Sequence, residues 1–264
     1  MTTASDRTRV RPVVGVDELE LLLASNSPPT LLDVRWALDA PEGRPAYLRA
    51  HLDGAVYVDL ERELSAPGFP ERGRHPLPDH RALADAVRRW GVRAGDTVVA
   101  YDDNDGVAAA RAWWLLGSAG INVRVLDGGL RAWVREGLEL HSGDVAPAIG
   151  DAVLLETDAG AVTIEEAARA PRRGTLIDAR GPQHYRGSLP GIDPVSGHIP
   201  GAINVPTVSY LTPEGILRSP EEIRAILLAA GVDVDRPIVV TCSSGLASAH
   251  TLLTLATAGI TASI

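Results

Sequence analysis

Lysine is absent from this 264-residue chain, and all 25 of its basic residues are arginine. Without a lysine amine there is no Schiff-base or pyridoxal chemistry and no P-loop lysine. Cysteine is nearly absent too, with Cys242 alone. A single cysteine excludes an intramolecular disulfide and a cysteine-rich zinc site. It also leaves no resolving thiol, so sulfur or oxidation chemistry at Cys242 has to be completed by another molecule. No apolar run approaches the length needed to cross a bilayer, and Met1-Thr2-Thr3-Ala4-Ser5-Asp6 lacks the charged-then-apolar pattern of a signal peptide. The expected location is therefore the cytoplasm, with no membrane partner. A net charge of −9 argues against nucleic acid as the main partner. What is present is a 45% hydrophobic composition, enough to build one large or two medium cores.

The chain is organised around its one thiol. Ile238-Val239-Val240-Thr241 reads as a buried strand, Cys242-Ser243-Ser244-Gly245 as a small polar turn, and Ala247 onward as a helix. Cys242 is thus expected where a strand's C-terminal end meets a helix N-terminus. Backbone N–H groups converge there and the helix dipole adds partial positive charge, so a thiolate is stabilised. This marks Cys242 as a nucleophile; the alternative is a buried cysteine acting as a small hydrophobe.

The two halves repeat one another. Leu31-Leu32-Asp33-Val34-Arg35, His51-Leu52-Asp53-Gly54-Ala55-Val56 and Val98-Val99-Ala100-Tyr101-Asp102-Asp103 recur in order as Leu176-Ile177-Asp178-Ala179-Arg180, His198-Ile199-Pro200-Gly201-Ala202-Ile203 and Val239-Val240-Thr241-Cys242-Ser243-Ser244. Short apolar strands alternate with amphipathic helical stretches at 79–90, 108–118, 220–230 and 247–258. The pattern predicts an α/β protein of two tandem domains, each a mainly parallel sheet flanked by helices, with ligands at strand C-terminal ends. The expected division is an N-terminal domain over 1–145, a linker over 146–160 rich in Gly, Ala and Asp, and a C-terminal domain over 161–264. Ala119-Gly120-Ile121 leads into a strand, a glycine turn and a closing helix, whereas its counterpart Ala258-Gly259-Ile260 is followed only by Thr261-Ala262-Ser263-Ile264. The second domain is therefore expected to lack its last strand end and closing helix.

These duplicated motifs, with Leu31 to Trp36, Tyr101 to Trp114 and Val125 to Trp133 in one half and Asp178-Ala179-Arg180, Gly197-His198-Ile199-Pro200-Gly201-Ala202 and Cys242-Ser243-Ser244-Gly245 in the other, resemble the tandem rhodanese family. The resemblance implies a thiosulfate or 3-mercaptopyruvate sulfurtransferase. Its loop cysteine takes a sulfane sulfur, becomes a persulfide, and passes the sulfur to cyanide or a thiol, a thioredoxin-like protein among the thiols. It also implies an inactive N-terminal copy, and Asp102, standing where Cys242 stands, cannot accept sulfur. No metal or organic cofactor is needed.

The resemblance to the mercaptopyruvate branch implies a proton relay of Ser244, His75 and Glu61, in which the acid orients the imidazole and the imidazole polarises the hydroxyl. The loop Ser243, Gly245, Leu246, Ala247 and Ser248, with Arg180, His184 and Arg186, is expected to receive a small anionic sulfur donor. The family commonly carries arginine at the position of His184, and no arginine stands between Arg186 and His198. This predicts weak turnover of the usual donors at high pH, or a different donor. His198 and His250 read as structural, and Trp36, Trp113, Trp114 and Trp133 as core or interdomain packing. A phosphatase is disfavoured because Ser248 occupies the place of the arginine that such loops use for phosphate. The non-enzyme alternative is a sulfur carrier or rhodanese-like binding module without efficient turnover.

Overall fold

The computed structural model describes residues 11–66, 68, 73–189 and 195–264; the 1–6 pattern read above lies outside them. The first half supplies β1 (Val13–Val14), α1 (Val16–Leu23), β2 (Thr30–Asp33), α2 (Arg44–Arg49), β3 (Val56–Tyr57), α3 (Leu60–Glu63), α4 (His80–Arg89), β4 (Thr97–Tyr101), α5 (Val107–Ser118), β5 (Asn122–Leu126) and α6 (Gly129–Arg135). The second supplies α7 (Ile164–Arg173), β6 (Thr175–Asp178), α8 (Pro182–Arg186), β7 (Ile203–Asn204), a 3-10 turn (Thr207–Tyr210), α9 (Pro220–Ala229), β8 (Ile238–Thr241) and α10 (Leu246–Thr257).

Each half builds a wholly parallel sheet, ordered β1-β5-β4-β2-β3 in the first and β7-β6-β8 in the second. Apolar, largely β-branched strands covered on both faces by helices give this arrangement. The second sheet continues past β8, where Ser263 pairs in parallel with Val239 and the Val162 N–H reaches the Ile264 carbonyl at 2.7 Å. These contacts repeat the places of β5 and β1.

Helix starts follow local chemistry. Asp79 accepts from the Arg81 and Ala82 N–H groups at the head of α4, while Thr163 with Glu166 and Ser219 with Glu222 form reciprocal capping boxes on α7 and α9. Residues 146–160 form no helix or strand. They lie against the first half, with Gly150 N–H on the Arg88 carbonyl (2.8 Å), Leu155 N–H on that of Ala119 (2.9 Å) and Trp114 Nε1 on that of Ala159 (2.8 Å).

The halves meet through α5 and α10. Small residues on α5, including Ala108, Ala109 and Ala112, let the helices approach closely, and the buried apolar cluster runs from Leu32 and Val98 of one half to Leu253 and Ile260 of the other. The helix that follows Cys242 is thereby packed against the helix that follows Asp102.

Candidate active site

Register fixes the equivalence of the two loops. Asp33 of β2 pairs with Tyr101 of β4, and Asp178 of β6 pairs with Thr241 of β8, so Asp102 and Cys242 each come one residue past matching strand ends. Helix α10 begins at Leu246, one residue ahead of the sequence expectation, with Gly245 at φ +79° as its cap. Only glycine takes that conformation without strain. It turns the Gly245 N–H back onto Cys242 Sγ at 3.1 Å. The half-buried Cys242 opens into a cavity of about 400 Å³ that Asp178, Arg180, Gly197, His198 and Ser243 also line.

A second cavity, of about 310 Å³, lies between the halves. Arg180 and Ser243 belong to both. The second half adds His184, Ser244, Leu246 and Ala247, and the first half adds Trp36, Arg74, His75 and Val107. His75 is buried, and its Nε2 lies 3.0 Å from Glu61 Oε1, the oxygen that also accepts from Trp36 Nε1 at 2.7 Å. The Trp36 ring meets the imidazole edge-on at 5.4 Å between centroids. His75 Nδ1 is buried with no hydrogen-bond partner among the described residues. His75 and Glu61 are thus brought into contact and Ser244 shares the cavity that His75 lines, but no hydrogen bond joins Ser244 to His75 among the described residues.

The expected anion contacts are placed unequally. Arg180 grips Asp178 through Nε and Nη2 and donates Nη2 to the Gly197 carbonyl at 2.7 Å. Arg35 makes the same fork to Asp33 and reaches the Ala50 carbonyl at 2.5 Å, in a half with no cysteine. The shared geometry is that of a scaffold, with Arg180 forming a wall of both cavities. His184 lines the interdomain cavity, whereas Arg186 is exposed at the end of α8 and borders neither. Ser248 is fully buried in α10, away from both cavities, and its hydroxyl has no partner among the described residues.

His198 stacks on Tyr185 and bonds its carbonyl at 2.8 Å, as His51 does with Tyr47 at 2.9 Å. Both therefore build the turn. His250 is buried, bonded through Nδ1 to Thr207 Oγ1 at 2.6 Å, and burial pushes its imidazole down to about 4, which keeps it neutral. Three residues of this region were missed in the sequence. Trp36 was read as packing, yet it binds Glu61. Arg74 lines the interdomain cavity beside His75. Arg111 of α5 lies under the Cys242 loop, and a Cβ added to Gly245 would come within 3.1 Å of its Nη1. The signal for Arg111 was an arginine amid the otherwise apolar run Val107 to Leu116.

Comparison with known proteins decides the family. The rhodanese-like domain matches twice, over residues 15–136 and 163–264. The chain belongs to the rhodanese family. This rhodanese is 43% identical over 257 residues to the Mycobacterium tuberculosis protein named "Putative thiosulfate sulfurtransferase SseB", covering 96% of this chain and 90% of that protein. It is 35% identical over 240 residues to human 3-mercaptopyruvate sulfurtransferase, covering 87% and 79%. The crystal structure of SseA from Escherichia coli, a 3-mercaptopyruvate enzyme of the rhodanese fold, superposes with a TM-score of 0.83 at 31% identity, covering 96% and 98%. This rhodanese is a sulfurtransferase. No helix among its described residues is long and apolar enough to cross a membrane.

Proposed function

We propose that this rhodanese carries a sulfane sulfur on Cys242, taking it from thiosulfate or 3-mercaptopyruvate and delivering it to cyanide or a thiol. The observation that supports this most strongly is the Gly245 N–H on Cys242 Sγ at 3.1 Å, at a strand end that opens into a cavity. The thiolate attacks the sulfane sulfur of the donor. The bond from that sulfur to the rest of the donor breaks, and its electrons leave with sulfite or with the enolate of pyruvate, which takes a proton. The acceptor then attacks the outer sulfur of the Cys242 persulfide, forming thiocyanate or a new persulfide and restoring the thiolate.

His75 supplies the proton traffic at the cavity Ser244 shares, and Glu61 holds the imidazole by Nε2, leaving Nδ1 for exchange. Ser243, Gly245, Leu246 and Ala247 shape the receiving loop. Arg180 holds the rim with its fork on Asp178, His184 faces the donor, and Arg186 draws anions from outside. The reading makes 1–145 a non-catalytic domain, 146–160 the connection and 161–264 the catalytic domain, in the cytoplasm, with small thiols or a thioredoxin-like protein as acceptor.

The test is thiocyanate production from each donor with cyanide, alongside Cys242→Ser. Cyanide-dependent product from one donor, abolished by the substitution, supports the reading. Product formed equally by both proteins contradicts it.

A further inference from the structure

Three arginines are buried among the described residues: Arg35, Arg111 and Arg124. Arg35 forks onto Asp33 and Arg124 onto Glu18. Arg111 has no carboxylate within ion-pair distance among the described residues. Its Nε donates to the Leu64 carbonyl at 3.2 Å and its Nη2 to the carbonyls of His75 (2.9 Å) and Pro76 (3.2 Å), while its guanidinium lies 5.0 Å from the Trp114 ring centroid. Carbonyls and a ring face satisfy the donors but do not neutralise the charge. A buried charge without a counter-charge is costly, so its retention calls for an anion nearby.

The remaining nitrogen faces the loop that carries Cys242. Nη1 lies against Gly245, where a Cβ would meet it at 3.1 Å, and the N–H of the same glycine is bonded to Cys242 Sγ. Among the described residues Cys242 is the group whose charge favours the Arg111 cation, against the burial that pushes the guanidinium down to about 10. The loop from Cys242 to Ser248 contains no cation of its own.

We propose that Arg111, contributed by the domain without a cysteine, is the positioning cation of the Cys242 site: it holds the thiolate, and the persulfide formed on it, as anions. Through Nη2 it also fixes the segment that carries His75, so one guanidinium sets both the sulfur's charge and the imidazole's place. This rests on the reading of Cys242 as the nucleophile and explains why a neutral loop suffices. The other charged groups facing Cys242 are Asp178, neutralised by the Arg180 fork, and His198; His75, Arg74 and His184 stand across the adjoining cavity.

Because Cys242 is the only cysteine, its alkylation by iodoacetamide reads this directly and needs no sulfur donor. In Arg111→Met the rate at pH 7 falls about tenfold, equal to about 1.4 kcal/mol, while the plateau at high pH is unchanged; Arg111→Lys restores most of the neutral rate. A role confined to packing would leave the pH profile in place. Folded Arg111→Met protein that is alkylated at the wild-type rate at pH 7 overturns the proposal. If Arg111→Met fails to fold, wild type is compared with Cys242→Ser in urea. A thiolate favoured by the fold makes wild type gain stability over the serine variant as pH rises from 7 to 10, and no gain overturns the proposal. A protein that accepts no sulfur yet shows this Arg111-dependent alkylation would contradict the proposed function and leave the cation assignment standing.

Discussion

Asp102 occupies in the first domain the place that Cys242 occupies in the second, and it shows what that place binds. Its Oδ1 accepts from the N–H groups of Asn104 and Gly106, and its Oδ2 from those of Ala108 and Ala109, at 2.8–2.9 Å. Both loops end in a left-handed glycine, Gly106 at φ +78° and Gly245 at φ +79°, which caps the following helix. The same turn is therefore built twice, and in the second copy the Gly245 N–H meets the Cys242 sulfur. In one copy a carboxyl group fills it, with burial raising the Asp102 carboxyl and the N–H bonds opposing that rise; in the other it holds a thiol.

Asp102→Asn turns one acceptor into a donor facing backbone N–H groups. It should destabilise the protein by roughly 2–3 kcal/mol, since each unsatisfied buried group costs about 1–3 kcal/mol. Urea unfolding checks this, and an unchanged midpoint contradicts these contacts.

Gly245→Ala places a Cβ at a positive φ and against Arg111 Nη1. The left-handed conformation alone costs about 1–2 kcal/mol for an alanine. The expected result is reduced stability together with slower alkylation of Cys242, because the N–H on the sulfur moves. Slower unfolding or faster alkylation would show that the loop does not depend on this turn.

His250 gives the stability a pH dependence of definite sign. Its folded pKa of about 4 lies below the ordinary value of 6.5, so the unfolded chain takes up the proton first. The contribution is complete above pH 6.5 and is lost as pH falls through about 4, amounting to about 3 kcal/mol at 1.36 kcal/mol per pKa unit. The difference in unfolding free energy between wild type and His250→Gln should shrink over that window; a constant difference contradicts a neutral buried imidazole.

Glu61→Gln and Trp36→Phe both loosen His75, the first by removing the charge on the oxygen that meets Nε2 and the second by removing the indole donor to it. General acid–base catalysis typically contributes about 10²–10⁴-fold, so Glu61→Gln should lower kcat by about tenfold or more, with Trp36→Phe milder. Alkylation of Cys242 should be unaffected. Loss of alkylation in either variant would place these residues in thiolate formation instead.

His184→Arg should lower KM for thiosulfate or 3-mercaptopyruvate at pH 8 by about tenfold, the worth of about 1.4 kcal/mol from a permanent charge at the interdomain cavity. An unchanged KM would mean that the donor does not reach that wall.

The strand, the thiol and the helix after it were legible in the sequence because they are contiguous: Ile238 to Thr241 is a β-branched run and the helix starts at Leu246, one residue from the expected start. The repeat was legible for the same reason, as each motif is local. Arg180's fork was readable in principle, since Arg35 stands two residues after Asp33 in a half with no thiol. Contacts between residues distant in the chain were not legible. Trp36 meets Glu61 across a turn of chain, and Arg111 reaches the Gly245 loop from a helix whose apolar pattern speaks only of burial. Which side of α5 faces α10 is set by tertiary packing, and that packing turns a core arginine into a neighbour of the cysteine.

Intact-mass analysis after incubation with 3-mercaptopyruvate or thiosulfate reads sulfur on Cys242 itself. Wild type should gain the mass of one sulfur atom, Cys242→Ser none, and added cyanide should remove the gain as thiocyanate appears. Folded wild-type protein whose Cys242 is alkylatable but takes no sulfur from either donor would contradict it.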